Sequence, residues 1–125
     1  MQDFAAESPF DFEQIVQGVG GEEIAVSTLR GFVVLSRDRT KQIHQLCNSD
    51  SLKEAAIAVH GFKSSALWIH ALPLAQGCAS LHEALESGDK EAIANRLETF
   101  WKEYQLLFQC IVRFLKTLPR DDAAT

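Results

Sequence analysis

Nothing in this sequence approaches the roughly 18 consecutive apolar residues of a membrane span, although 46% of its 125 residues are hydrophobic. Its apolar side chains are interleaved with polar ones, so they are expected to bury against one another and not in lipid. Basic charge is scarce as well. Twelve Lys and Arg against 17 Asp and Glu leave a net charge of −5, and no Lys/Arg cluster exceeds a scattered pair. That excludes the basic stripe of a nucleic-acid surface. Cysteines are few and far apart: Cys47, Cys78 and Cys110 form no Cys-x-x-Cys and no Cys/His ligand spacing. Zinc sites and disulfide frameworks are therefore not expected, and each cysteine reads as a small buried hydrophobe. With the cysteines reading this way, a reducing cytoplasm is the simplest compartment expected; the start, Met1-Gln2-Asp3-Phe4, lacks the basic and apolar regions of a signal peptide. The one glycine cluster, Gly18-Val19-Gly20-Gly21, follows a helical pattern and no strand, so a phosphate-cradling loop and a nucleotide-binding kinase domain are not expected.

Metal motifs are missing too. None of the four histidines has a glutamate three residues before it, as di-iron bundles require. His82-Glu83-Ala84-Leu85-Glu86 lacks the second histidine of a zinc-protease helix. No metal and no cofactor are expected.

What the chain does have is helical periodicity. Ser8-Pro9 reads as an N-cap with proline in the first turn, opening a short helix through Phe10, Phe12, Ile15 and Val16 that Gly18, Gly20 and Gly21 end. A long helix follows, with Glu22 and Glu23 favouring its N-terminal dipole. It is expected to bury Ile24, Leu29, Phe32, Val33, Leu35, Ile43 and Leu46, to expose Arg37, Asp38, Lys41 and Gln45, and to run to about Cys47. Asn48-Ser49-Asp50 is a turn, and Ser51-Leu52-Lys53-Glu54 fits a capping box for the next helix. Pro73 implies a break near His70 to Leu72. Leu74, Cys78, Leu81 and Leu85 make the next stripe, and Ser87-Gly88-Asp89 supplies a stop, a glycine C′ and an N-cap. The last helix alternates steps of four and three from Ile93 through Leu97, Phe100, Tyr104, Leu107, Ile111 and Phe114 to Leu118. The expected fold is all-α: one domain, an antiparallel up-down-up-down four-helix bundle with a short N-terminal capping helix. Residues 1–7 and 120–125 are expected to be loose ends.

The third helical segment carries the chemistry, in Ala58-Val59-His60-Gly61-Phe62-Lys63-Ser64-Ser65-Ala66. Its buried stripe is Leu52, Ala55, Val59, Phe62, Ala66 and Ile69. At about 100° per residue, that stripe centres well over a third of a turn from His60, which is expected to face outward. Lys63 and Ser64 share the side of His60. An exposed imidazole with an ammonium and a hydroxyl one turn away suits a phosphoryl group carried on histidine, the lysine balancing a charge of about −1.5 to −2. Ala56, Ile57, Gly61, Ser64, Leu67 and Trp68 are the expected docking surface around it, since exposed apolar side chains grouped about a polar centre mark such surfaces. Trp68 either joins that patch or packs against the short N-terminal helix or the helix junction. Gly61 keeps bulk from the flank of the imidazole. His44 has no company in the pattern and reads as surface.

The sequence His-x-x-Lys-Ser-Ser-Ala, followed by an apolar helix, resembles the histidine-containing phosphotransfer (HPt) domain family, whose typical motif is His-x-Leu-Lys-Gly-Ser-x. Phe62 fills the apolar slot, and Ser64 replaces the glycine that admits a receiver domain's backbone. The resemblance extends to the layout, a four-helix bundle with its histidine midway along the second long helix. It also implies that His70 stands where another glycine is frequent. His82 stands where the family often has a glutamine hydrogen-bonded to the active imidazole. On this resemblance, the chain is expected to be a monomeric phosphocarrier in a multistep His-Asp phosphorelay, not an autonomous enzyme. His60 would be the phosphoacceptor, assisted by Lys63 and His82. Its partners would be response-regulator receiver domains and a hybrid histidine kinase, with neither nucleic acid nor membrane involved. The alternative is a helical docking module for a kinase or receiver domain that never carries phosphate.

Overall fold

In the computed structural model, residues 9–119 are described and form five helices with no strand among them. They are α1 (Phe12–Val19), α2 (Glu22–Asn48), α3 (Leu52–Trp68), α4 (Leu72–Ser87) and α5 (Lys90–Lys116). The chain is all-α, as its periodicity implies. Among the described residues, no helix is long and apolar enough to cross a membrane. The two expected loose ends and the Ser8 cap lie outside the described residues.

Helix boundaries follow local chemistry, with two corrections. The short first helix starts later than Ser8-Pro9 implies. Asp11 is its N-cap, its Oδ1 accepting from the Gln14 N–H at 3.2 Å, so a carboxylate does the work assigned to the serine. Phe10 is thereby left ahead of the helix, where it is buried and meets Phe114 edge-on at 5.6 Å. Ser51 does occupy the N-cap position of α3, but its hydroxyl makes no capping bond and is instead 3.4 Å from the Ser49 hydroxyl. The capping box is not formed. Asp89, by contrast, caps α5 through the Glu91 and Ala92 N–H groups. Gly20 and Gly88 end α1 and α4 with φ of 90° and 75°, values that suit a residue without a Cβ.

Inside, α2 packs on α3 and α5, α4 packs on the same two helices, and α1 lies against α2. The α4 stripe Leu74, Cys78, Leu81 and Leu85 is buried, as is the α5 stripe from Ile93 to Ile111. Phe114 is only partly buried, and Leu118 falls beyond the end of α5.

The long helix α2 departs furthest from expectation. Ile24 and Leu35 are 54% and 60% exposed, and its inward row is Ala25, Leu29, Phe32, Ser36, Thr40, Ile43 and Cys47. Two hydroxyls therefore occupy core positions. The Ser36 hydroxyl is hydrogen-bonded to the Tyr104 hydroxyl at 2.8 Å, and Thr40 donates to the Ser36 carbonyl at 2.9 Å. With their bonds made internally, they escape the penalty of an unpaired buried polar group.

Candidate functional site

The platform is α3, and its inward face holds it in register. Val59, Phe62 and Ala66 are at most 1% exposed. The Phe62 ring lies 5.9 Å from Phe32, 5.8 Å from Phe100 and 6.3 Å from Tyr104, so it touches both α2 and α5. A side chain clamped on three sides fixes the rotation of the helix that bears it. His60, two residues before Phe62, is thereby held outward and is exposed.

His82 comes to it from α4. The two imidazole centroids are 5.9 Å apart, with the rings inclined at 51°. His82 is half-buried, and its Nδ1 lies 3.8 Å from the Glu86 carboxylate one turn later on α4. Glu86 was not singled out from sequence, although its spacing of four from His82 is the ordinary helical-neighbour signal. The family resemblance implies a side chain at His82 beside the active imidazole, and the packing of α4 on α3 brings the two rings together.

Lys63 is half-buried and lines an open groove of about 650 Å³, whose wall runs from Leu67 and His70 to Leu72, Gln76 and Glu103. Glu103, on α5, is a second residue that sequence reasoning missed. Burial pushes its carboxyl above the usual carboxylate range. It faces Gly77 of α4, where a Cβ would meet Glu103 Oε1 at 3.7 Å and the Phe100 Cα at 3.8 Å, ordinary contact distances that an alanine would also accept. Behind the groove sits Cys78, whose thiol is pushed up to about 12 by burial above all, with Lys63 opposing the shift and Glu103 adding to it. Burial likewise raises Cys47 to about 11. Both are thiols, not thiolates, at neutral pH.

The two serines of the motif divide. Ser64 is exposed on the His60 side, whereas Ser65 accepts a hydrogen bond from Arg39 Nη1 on α2 at 3.1 Å. Nothing lies within 4 Å of where a Gly61 Cβ would project, so packing within the chain does not demand a glycine there. Ile57, Leu67 and Trp68 are 69%, 44% and 62% exposed. Trp68 thus stands among the outer side chains, at a cleft that it lines with Leu35 of α2 and with Ile69. Ala56, beside them, is partly buried. Leu72, 59% exposed at the start of α4, extends the patch; it falls outside the stripe of its own helix, which was the available signal.

His70 ends the platform. Its φ is 53°, its N–H bonds to the Leu67 carbonyl at 3.0 Å, and the Ala71 N–H bonds to the Ala66 carbonyl at 2.8 Å. This is the double closure of a Schellman motif, with histidine at the left-handed position that glycine usually takes. His44 is exposed but not alone, since the Trp101 ring stands edge-on to it at 6.3 Å. Among the described residues, no three His, Cys, Asp or Glu side chains converge as a metal-binding cluster.

No protein-family model, no curated protein and no solved structure matches this chain.

Proposed function

We propose that this chain is a phosphocarrier of a His-Asp phosphorelay, built as an up-down-up-down four-helix bundle with α1 packed on it. The observation that carries the reading is the outward imidazole of His60, fixed mid-helix by Phe62, with His82 at 5.9 Å and Lys63 one turn away. In the forward step, the lone pair of one His60 ring nitrogen attacks the phosphorus of a receiver's phospho-aspartate. A P–N bond forms as the P–O bond to the aspartate breaks, and the carboxylate leaves with that electron pair. In this reading Lys63 balances the charge arriving on histidine, and His82 hydrogen-bonds the second ring nitrogen. The reverse sequence delivers the phosphoryl group to the aspartate of another response regulator.

The exposed apolar side chains Ile57, Leu67, Trp68 and Leu72 supply the docking contact. That contact alone would also serve a module that binds a kinase or receiver without taking phosphate, so binding does not separate the two readings but transfer does. Incubation with a phosphorylated receiver domain is expected to leave an acid-labile, base-stable phosphoryl mark on the wild type and none on His60→Gln. A wild type that binds the receiver tightly yet never becomes marked would assign the protein to docking alone.

A further inference from the structure

The side of the molecule formed by α2 and α5 carries a second feature, which the phosphocarrier reading does not use. Between these helices lies a cleft of about 260 Å³. Its floor is a run of aromatic rings on α5: Trp101 and Tyr104 are 5.7 Å apart, and Tyr104 and Phe108 are 5.9 Å apart. Trp101 and Phe108 are only half-buried, and both line the cleft. The Tyr104 hydroxyl is already engaged by Ser36, which leaves that ring as apolar surface.

Two cations stand over this floor from α2. The Arg37 guanidinium lies 5.7 Å from the centroid of Phe108, and Lys41 lines the cleft one turn on. Among the described residues, neither has a carboxylate within ion-pair distance, and no acidic side chain lines the cleft. Like charges four residues apart on a helix repel each other, so this pair is uncompensated in a protein whose net charge is −5. Arg37 already rests over an aromatic ring, and its planar fork matches a carboxylate in two-point geometry. Arg37 covers Phe108, so an anion seated between Arg37 and Lys41 would bring any attached ring down onto Trp101, which lines the same cleft.

We propose that this cleft binds a small planar aromatic carboxylate of one or two fused rings. Its volume falls just below the range of about 300–1,000 Å³ typical of sites for drug-sized ligands, which sets the size limit. The carboxylate pairs with Arg37 and Lys41, and the ring stacks on the aromatic floor.

Calorimetric titration of the whole chain with 2-naphthoate and with its neutral counterpart 2-naphthamide, at low salt, tests this. The acid is expected to bind about tenfold or more tighter than the amide, the equivalent of one charge-assisted hydrogen bond. Arg37→Gln is expected to abolish that preference, with Lys41→Gln reducing it, while Lys90→Gln at the far start of α5 leaves it intact. In a Trp68→Phe background, the fluorescence of Trp101 should change on adding the acid. Circular dichroism shows whether each variant is folded, and Lys41→Gln carries the test if Arg37→Gln is not. Equal affinity for acid and amide, binding of neither, or a preference unaffected by both substitutions would overturn the proposal.

Discussion

Phe62 and His60 sit two residues apart on the same helix and have opposite surroundings. Phe62 is 1% exposed among rings from α2 and α5, whereas His60 is exposed and meets one ring, that of His82. The contrast shows how a helix can be both a structural member and a chemical surface. Residues that fix its rotation spend their side chains on the core, and those one or two positions away are released for a partner. Stability and function should then separate cleanly by face.

The sharpest break in that comparison comes from the two residues themselves. Phe62→Ala is expected to lose about 3–5 kcal/mol of unfolding free energy, the usual cost of emptying a large aromatic site in a core. His60→Gln should change stability by no more than about 0.5 kcal/mol. Urea titrations followed by circular dichroism measure both. A His60→Gln variant that unfolds as readily as Phe62→Ala would mean that the two faces are not independent.

Trp68→Ala moves the test to the outer face. It should leave the melting temperature nearly unchanged but weaken receiver binding by about 1–3 kcal/mol, as truncation of an exposed aromatic anchor does. A binding isotherm and a thermal melt on the same sample distinguish this from a folding defect.

A smaller effect, of opposite sign, is expected at the end of α3. Histidine in the left-handed region costs about 1 kcal/mol relative to glycine, so His70→Gly should stabilise the protein by about that amount if the Schellman closure is retained. A destabilised variant would show that the His70 side chain supplies compensating contacts in the groove it lines.

The smallest effect belongs to Glu103. Burial raises its carboxyl in the folded state, so folding favours the protonated form. Its contribution to stability is greatest in acid and falls as pH rises from the ordinary glutamate range through the raised value. Glu103→Gln should therefore match the wild type in acid and slightly exceed it at neutral pH. Melts from pH 3 to 7 give the comparison, and a gap that widens toward acid would reverse the sign.

Much of α3 was legible in sequence because its apolar residues are strongly patterned. The stripe from Ala55 to Ile69 left His60 and Ile57 no place but outside, whereas the place of Trp68 stayed open until the helices were packed. The same logic failed on α2, where Ser36 and Thr40 take inward positions that hydropathy assigns to Ile24 and Leu35. Their hydrogen-bond partners lie 68 residues away or in the backbone, and no local pattern announces them. Glu86 could have been found from its spacing to His82. Glu103 could not, because its partial burial arises in a groove that residues of α3 and α4 line from elsewhere in the chain. The N-cap of α1 was missed for a local reason, Asp11 being as acceptable a capping residue as the serine singled out from sequence.

On the proposed phosphocarrier reading, one of two neighbouring imidazoles takes the phosphoryl group, and ³¹P NMR of the protein after incubation with a phosphorylated receiver reads out which. A phosphoramidate resonance is expected in the wild type and in His82→Gln, and none in His60→Gln. A resonance that survives His60→Gln and disappears with His82→Gln, or a signal that withstands acid as a serine phosphate would, would contradict the assignment.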